Sequence, residues 1–187
     1  MKIKILLKGE KDMSINVNVK SMNTKRLYMR KPSLEDVDAF YQIVKNNEIG
    51  KWLAISRGMS REETEQYIGK FIVHWNEHNF GVWLIFNPIT REMMGHCGLR
   101  YIDGTEDLEI MYLLDPKFWG NGYATEAAHA SIQYAFHDLK VKKLTARIRI
   151  ANEKSKNVLE KAGFKYTHDV DFDGYQLSYY EHKNLFQ

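Results

Sequence analysis

Two short runs with an apolar residue at every second position open the chain. They are Ile3, Ile5 and Leu7, then Ile15, Val17 and Val19, joined by the polar segment KGEKDMS. Strict alternation turns one face of an extended chain toward a core, so the pair reads as a β-hairpin. TKRLYMR predicts a further strand, ended by Pro32, which has no N–H to give to a ladder. Ser33 with Asp36, and Ser60 with Glu63, place a hydroxyl and a carboxylate three residues apart, the arrangement that caps a helix start. They predict helices running to about Val44 and about Trp75. Three strand-like runs follow, FGVWLIF, EMMGHCGLRYI and LEIMYLL, separated by turn chemistry at NPITR and DGTED.

The period then changes. Ala124, Ala127, Ala128, Ser131 and Ala135 recur at helical spacing, and Ile132, Phe136 and Leu139 widen that apolar face. A helix over Gly122 to His137 follows. KLTARIRI reads as a strand, NEKSKNVLEKAG as a helix closing on Gly163, and FKYTHDV with YQLSYYEH as a terminal strand pair. The order predicts a mixed α/β chain without the regular βαβ alternation of a doubly wound fold. A length of 187 residues suits one domain with a substantial core.

Composition acts mainly by exclusion. Hydrophobic residues make up 44% and charged residues 27%, a soluble globular profile. The 27 basic and 24 acidic residues give a net charge of +3, and no basic stripe or motif points to nucleic acid. No stretch approaches the roughly 20 apolar residues of a membrane span, so no membrane partner is expected. The opening segment reaches Gly9 too soon to hold a signal-peptide core. Cys97 is the single cysteine, which rules out an internal disulfide and suits a reducing compartment. The expectation is a cytoplasmic, single-domain protein.

The segment DPKFWGNGYATEA sets Gly120 and Gly122 directly ahead of the long helix. The first amides of a helix lack intrahelical partners and carry partial positive charge. Removing Cβ there lets an anion approach the backbone. A tight strand-to-helix turn would use the same glycines, and neither a Walker loop nor a dinucleotide fingerprint is present. Strand LEIMYLLDP precedes the turn, and ANEKSKNVLEKAGF follows one helix and one strand later. Together these segments resemble the Gcn5-related N-acetyltransferase (GNAT) superfamily, and more narrowly its RimJ/RimL branch, which acetylates ribosomal-protein N-termini. Trp119-Gly120-Asn121-Gly122-Tyr123-Ala124 fits the pyrophosphate loop of that superfamily, while Asn152, Ser155, Glu160, Lys161, Gly163 and Phe164 fit its closing helix.

The resemblance covers about residues 24–183 and leaves the N-terminal hairpin outside it. It implies a mostly antiparallel mixed sheet with helices on both faces and acetyl-CoA held between two splayed strands. Leu113 and Leu114 would offer backbone to the pantetheine arm, Trp119, Gly120, Asn121, Gly122, Tyr123, Ala124 and Thr125 would hold the pyrophosphate, and Asn152 and Ser155 would flank the thioester. The branch points to a protein or peptide N-terminal α-amine as acceptor, with small-molecule amines as an alternative and a homodimer left open. A non-catalytic acyl-CoA-binding module and a nucleotide-binding protein are the competing classes.

Acetyl transfer to an amine needs a neutral amine, donors for the oxyanion and a proton for the thiolate. An α-amine with a pKa near 8 is already partly neutral. Glu109, in LEIMY, is where related enzymes place a base facing the acceptor; an exposed glutamate paired with a neighbouring lysine is the plainer alternative. Many superfamily members carry a tyrosine seven residues after the helix asparagine. Here that position is Leu159, which makes Ser155 the group expected to meet the sulfur. His74 and His78 stand four apart without a third zinc ligand, Cys97 reads as a small core residue, and Glu126 suits a first helical turn.

Overall fold

The computed structural model describes residues 20–172 and 174–184, so the alternating runs between Ile3 and Val19 lie outside the described residues. Eight strands form one sheet in the order β1-β2-β3-β4-β5-β6-β8-β7. They are β1 (Ser21–Asn23), β2 (Tyr28–Arg30), β3 (Val82–Phe86), β4 (Met93–Tyr101), β5 (Leu108–Leu114), β6 (Lys143–Arg149), β7 (Lys165–Phe172) and β8 (Tyr175–Lys183). Neighbours are antiparallel except β5 and β6, which run parallel. The connecting helices are α1 (Val37–Val44), α2 (Asn47–Gly50), α3 (Arg61–His78), α4 (Tyr123–His137) and α5 (Glu153–Lys161).

Both predicted capping boxes form, at Ser33/Asp36 and Ser60/Glu63. The first opens one turn of 3-10 helix that runs into α1. The strand expected over TKRLYMR is shorter than its pattern. Thr24 N–H donates to the Leu27 carbonyl at 2.9 Å, closing a turn between β1 and β2 and leaving Tyr28–Arg30 extended.

Alternation along the central strands builds two cores, one on each face of the sheet. Trp83, Ile85, Cys97, Leu99, Ile110 and Leu114 face α4 and α5, where Ala127, Ala128, Leu159 and Phe164 meet them. Val82, Leu84, Phe86 and Leu113 face α1 and α3, against Phe40, Ile43, Ile68 and Phe71. Each fully buried side chain of this size contributes about 1.5–3 kcal/mol before entropy is counted. Strand β5 serves both cores, and the site is built around it.

Candidate active site

Strand β5 pairs with β6 only at Glu109 and Thr145. Beyond that pair no ladder joins the two parallel strands, so the C-terminal part of β5 presents backbone groups on an edge that β6 does not cover. The glycine loop lies at the end of this edge. Gly120 and Gly122 both sit at positive φ, +78° and +76°, a region that costs a residue with Cβ on the order of 1–2 kcal/mol. A Cβ at Gly120 would meet nothing within 4 Å, and one at Gly122 would meet only the Arg26 guanidinium, 3.6 Å away. The glycines are therefore required by backbone conformation rather than by a close neighbour.

Helix α4 starts on Gly122 with no side-chain cap, although it is a fifteen-residue helix. By contrast, α3 is capped by Ser60 and α5 by Asn152. The N–H groups of the first turn of α4, at Tyr123, Ala124 and Thr125, have no acceptor within the helix. They and the helix dipole form a ready anion site.

Several of the predicted loop residues act by holding this backbone in place. The Trp119 indole donates to the Leu114 carbonyl at 2.7 Å, fixing the loop to β5, and Lys154 lies 4.2 Å over the indole ring. Asn121 Nδ2 donates to the Trp119 carbonyl at 3.0 Å. Arg26 reaches in from the β1–β2 turn. It donates to the Asn121 carbonyl at 2.9 Å and to Glu126 at 2.6 Å, and it stacks 4.5 Å over Tyr123. Glu126 also accepts from Thr24 Oγ1 at 2.6 Å and Arg26 N–H at 2.9 Å. Glu126 is thus more than a helix-dipole residue, since it ties the β1–β2 turn to the loop. Arg26 and Lys154 went unnoticed at the sequence level because no local pattern links them to the glycines.

Asn152 caps α5 by accepting the Ser155 N–H at 3.1 Å. The Ser155 carbonyl accepts the Tyr112 hydroxyl at 3.0 Å, while Ser155 Oγ makes no hydrogen bond among the described residues. Burial pushes the Tyr112 phenol up, so it stays protonated. Leu159 is fully buried in the core. Leu113 and Leu114 are both buried, in opposite cores, so only their backbone is available to a ligand.

Glu109 is 3% exposed and pairs with arginines from both neighbouring strands. Arg100 Nε donates to Oε1 at 2.7 Å; Arg147 donates from Nε to Oε2 at 2.7 Å and from Nη2 to Oε1 at 2.9 Å. The exposed glutamate–lysine pair is therefore replaced by a buried carboxylate between two guanidiniums. Three of roughly four lone-pair directions are taken, which leaves one, on Oε2.

Around it, His96 is buried against Phe40, Tyr67 and Phe71. Its Nε2 is 3.2 Å from the Tyr67 hydroxyl, and its Nδ1 has no partner. Desolvation, aided by Arg100, pushes the His96 pKa down to about 3, so the ring is neutral at physiological pH. His74 is a structural histidine, with Nδ1 2.9 Å from the Phe80 carbonyl and Nε2 accepting the Tyr101 N–H at 3.3 Å. Among the described residues no group of three potential metal ligands exists. Burial pushes the Cys97 thiol up to about 12, which makes it inert.

A family model for the acetyltransferase (GNAT) domain matches residues 26–165. YkkB of Bacillus subtilis (strain 168) is 34% identical over 119 residues, 60% of this chain and 69% of that protein. RimL, a ribosomal L7/L12 alpha-N-protein acetyltransferase solved with coenzyme A, superimposes with a TM-score of 0.72 at 21% identity, over 85% of this chain and 94% of that one. The microcin C7 self-immunity acetyltransferase MccE, solved with acetyl-CoA and AMP, gives a TM-score of 0.71 at 17% identity, over 86% and 93%. At these identities the two structures share the fold with this chain.

Proposed function

The chain belongs to the GNAT acetyltransferase family and is an acetyl-CoA-dependent N-acetyltransferase; from that premise we propose that its acceptor is a primary α-amine, a protein or peptide N-terminus ahead of other amines, acetylated by direct attack in a ternary complex. The observation that carries the site assignment is the uncapped start of α4 on two left-handed glycines, beside the uncovered edge of β5. The amides of Gly122, Tyr123, Ala124 and Thr125 receive the pyrophosphate, with Arg26, paired to Glu126, bracing the loop that presents them. Backbone at Leu113 and Leu114 holds the pantetheine arm and supplies the oxyanion donor. Trp119, Asn121 and Asn152 keep these segments in register.

In the reaction a C–N bond forms, the C–S bond breaks, the amine loses a proton and the thiolate gains one. An α-amine arrives partly neutral at pH 7, so the site needs an acceptor for the remaining proton only. Glu109 takes it through one water on its free Oε2 direction. Ser155 Oγ, unengaged at the start of α5, donates a hydrogen bond to the departing sulfur.

The direct test follows free thiol release from acetyl-CoA with a panel of peptides and small amines. Turnover highest on free peptide N-termini, and abolished when the terminus is blocked, is expected. Saturable acetyl-CoA binding without thiol release across the panel would overturn the reading, and release with lysine side chains alone would overturn the choice of an α-amine.

A further inference from the structure

The sheet face that carries Glu109 bears more arginines than this one carboxylate can balance. Arg100 on β4 and Arg147 on β6 flank Glu109 of β5 on the face that packs against α1 and α3, and Arg149 ends β6 on the same face. Asp107 and Glu181 are held by Lys143 at 3.3 and 3.2 Å. His96 and Tyr67, on which the charge of Arg100 acts, are both held neutral by burial. Among the described residues no carboxylate other than Glu109 pairs with any of the three arginines.

The three arginines differ in what they have left to give. Arg147 is spent: both its Nε and Nη2 donate to Glu109, and it is only 15% exposed. Arg149 donates to the Leu53 carbonyl at 2.7 Å and Ser56 Oγ at 2.8 Å, and lies 4.0 Å over the Tyr175 ring. These partners are neutral, so its charge stays uncompensated. Arg100 is the one with free donors. Its Nε is fixed to Glu109, its Nη1 and Nη2 have no partner among the described residues, and its side chain is 37% exposed. A guanidinium oriented through Nε by a buried carboxylate presents its two terminal N–H groups as a preset fork, the geometry that receives a carboxylate.

Resting on the α-amine reading above, we propose that the preferred acceptor carries a carboxylate close to its amine, received by the free Nη groups of Arg100, with Arg149 adding to the positive field. Glu109 and Arg100 then form a complementary pair 2.7 Å apart. The free Oε2 direction of Glu109 addresses the ammonium through that one water, and Arg100 addresses the carboxylate. Polyamines and aminoglycosides, which are cationic throughout, are rejected by the same field. The carboxylate has two chemical sources: the side chain of an acidic residue at a peptide N-terminus, or the α-carboxylate of a free amino acid.

The test compares matched acceptors within one enzyme. One arm pairs a peptide beginning with Asp against the same peptide beginning with Asn. The other pairs a free amino acid against its amide. The wild-type protein is expected to favour the acid in one arm by about tenfold or more in kcat/KM, the scale of one hydrogen-bonded charge pair. The arm that shows it identifies the source. In Arg100→Gln the acid-to-neutral ratio falls toward one, and in Arg100→Glu it inverts. The ratio is read within each variant, so a general loss of activity does not mimic the effect, and acetyl-CoA binding confirms that each variant is folded. As a readout apart from turnover, the N-acetylated acidic product binds the coenzyme A complex more tightly than its neutral isostere, and loses that advantage in Arg100→Gln. Equal turnover of acid and neutral partners in both arms would overturn this inference and leave the α-amine reading standing. Absence of turnover with every amine would overturn both.

Discussion

At the scale of single residues, the structure separates groups that can move protons from groups that only hold shape. Glu109→Gln keeps the size of the side chain but removes the charge that brackets Arg100 and Arg147. We expect kcat to fall by about 10²–10⁴-fold, the range of a general base, with a steeper rise of rate toward high pH, where the amine loses its own proton. An unchanged pH profile would remove Glu109 from proton transfer and leave it as an orienting group. Ser155→Ala should lower kcat with little change in stability, because Ser155 Oγ has no protein partner to lose. Tyr112→Phe should do the reverse, lowering Tm through the lost 3.0 Å bond to the Ser155 carbonyl at about 1 kcal/mol. If Tyr112→Phe abolished turnover while Ser155→Ala did not, the proton donor would be the phenol. His96 makes a separate prediction. Its folded pKa is pushed down to about 3, while an unfolded histidine titrates near 6.5. Below about pH 6.5 the unfolded chain takes up a proton that the folded chain refuses, so stability falls as pH drops toward 3. His96→Phe, placed among Phe40, Tyr67 and Phe71, should flatten that fall in urea denaturation. His74 and His182, also lowered by burial, leave a residual slope. An unaltered slope in His96→Phe would mean that His96 carries none of it.

At the scale of elements, what could be read from the sequence was what local chemistry dictates. The capping boxes at Ser33 and Ser60, the alanine spacing of α4 and the apolar runs of β3 and β5 are properties of neighbouring residues, and each element formed where its pattern lies. The two glycines were legible for the same reason, whereas Asn152 was reached through the family resemblance and its capping of α5 is a finding of the structure. The guanidinium environment of Glu109 was not, because Arg100 and Arg147 reach it only through sheet register, across β4 and β6. Helix α2, four residues long, is too short to show a period. The clasp formed by the β1–β2 turn, Glu126 and Arg26 joins positions about a hundred residues apart, which no spacing rule reveals. It yields its own prediction. Arg26→Ala removes the donors to Asn121 and Glu126 and the stacking on Tyr123, so the loop loses its outer support and one positive charge. KM for acetyl-CoA should rise several-fold while kcat at saturation changes little. A Tm loss with no change in acetyl-CoA affinity would make the clasp purely architectural.

At the scale of the whole molecule, β5 is the element that couples ligand to stability. Its side chains feed both cores, its N-terminal end carries Glu109, and its C-terminal end is bolted to the glycine loop by Trp119. A cofactor that lies along its uncovered edge and ends on the α4 amides binds the folded chain and not the unfolded one. Acetyl-CoA at about one hundred times its Kd should therefore add about 2.7 kcal/mol, a Tm rise on the order of 5–10 °C for a chain of this size. Gly122→Val breaks the link at one point. A β-branched residue at φ +76° is strained, and its methyl groups enter the space between the first-turn amides and Arg26. The variant should melt lower without ligand and should also lose most of the ligand-induced rise. The second effect is the decisive one, because any strained substitution produces the first. A lower Tm with the full acetyl-CoA shift retained would mean that the phosphates rest elsewhere, and that the uncapped start of α4 is only a turn.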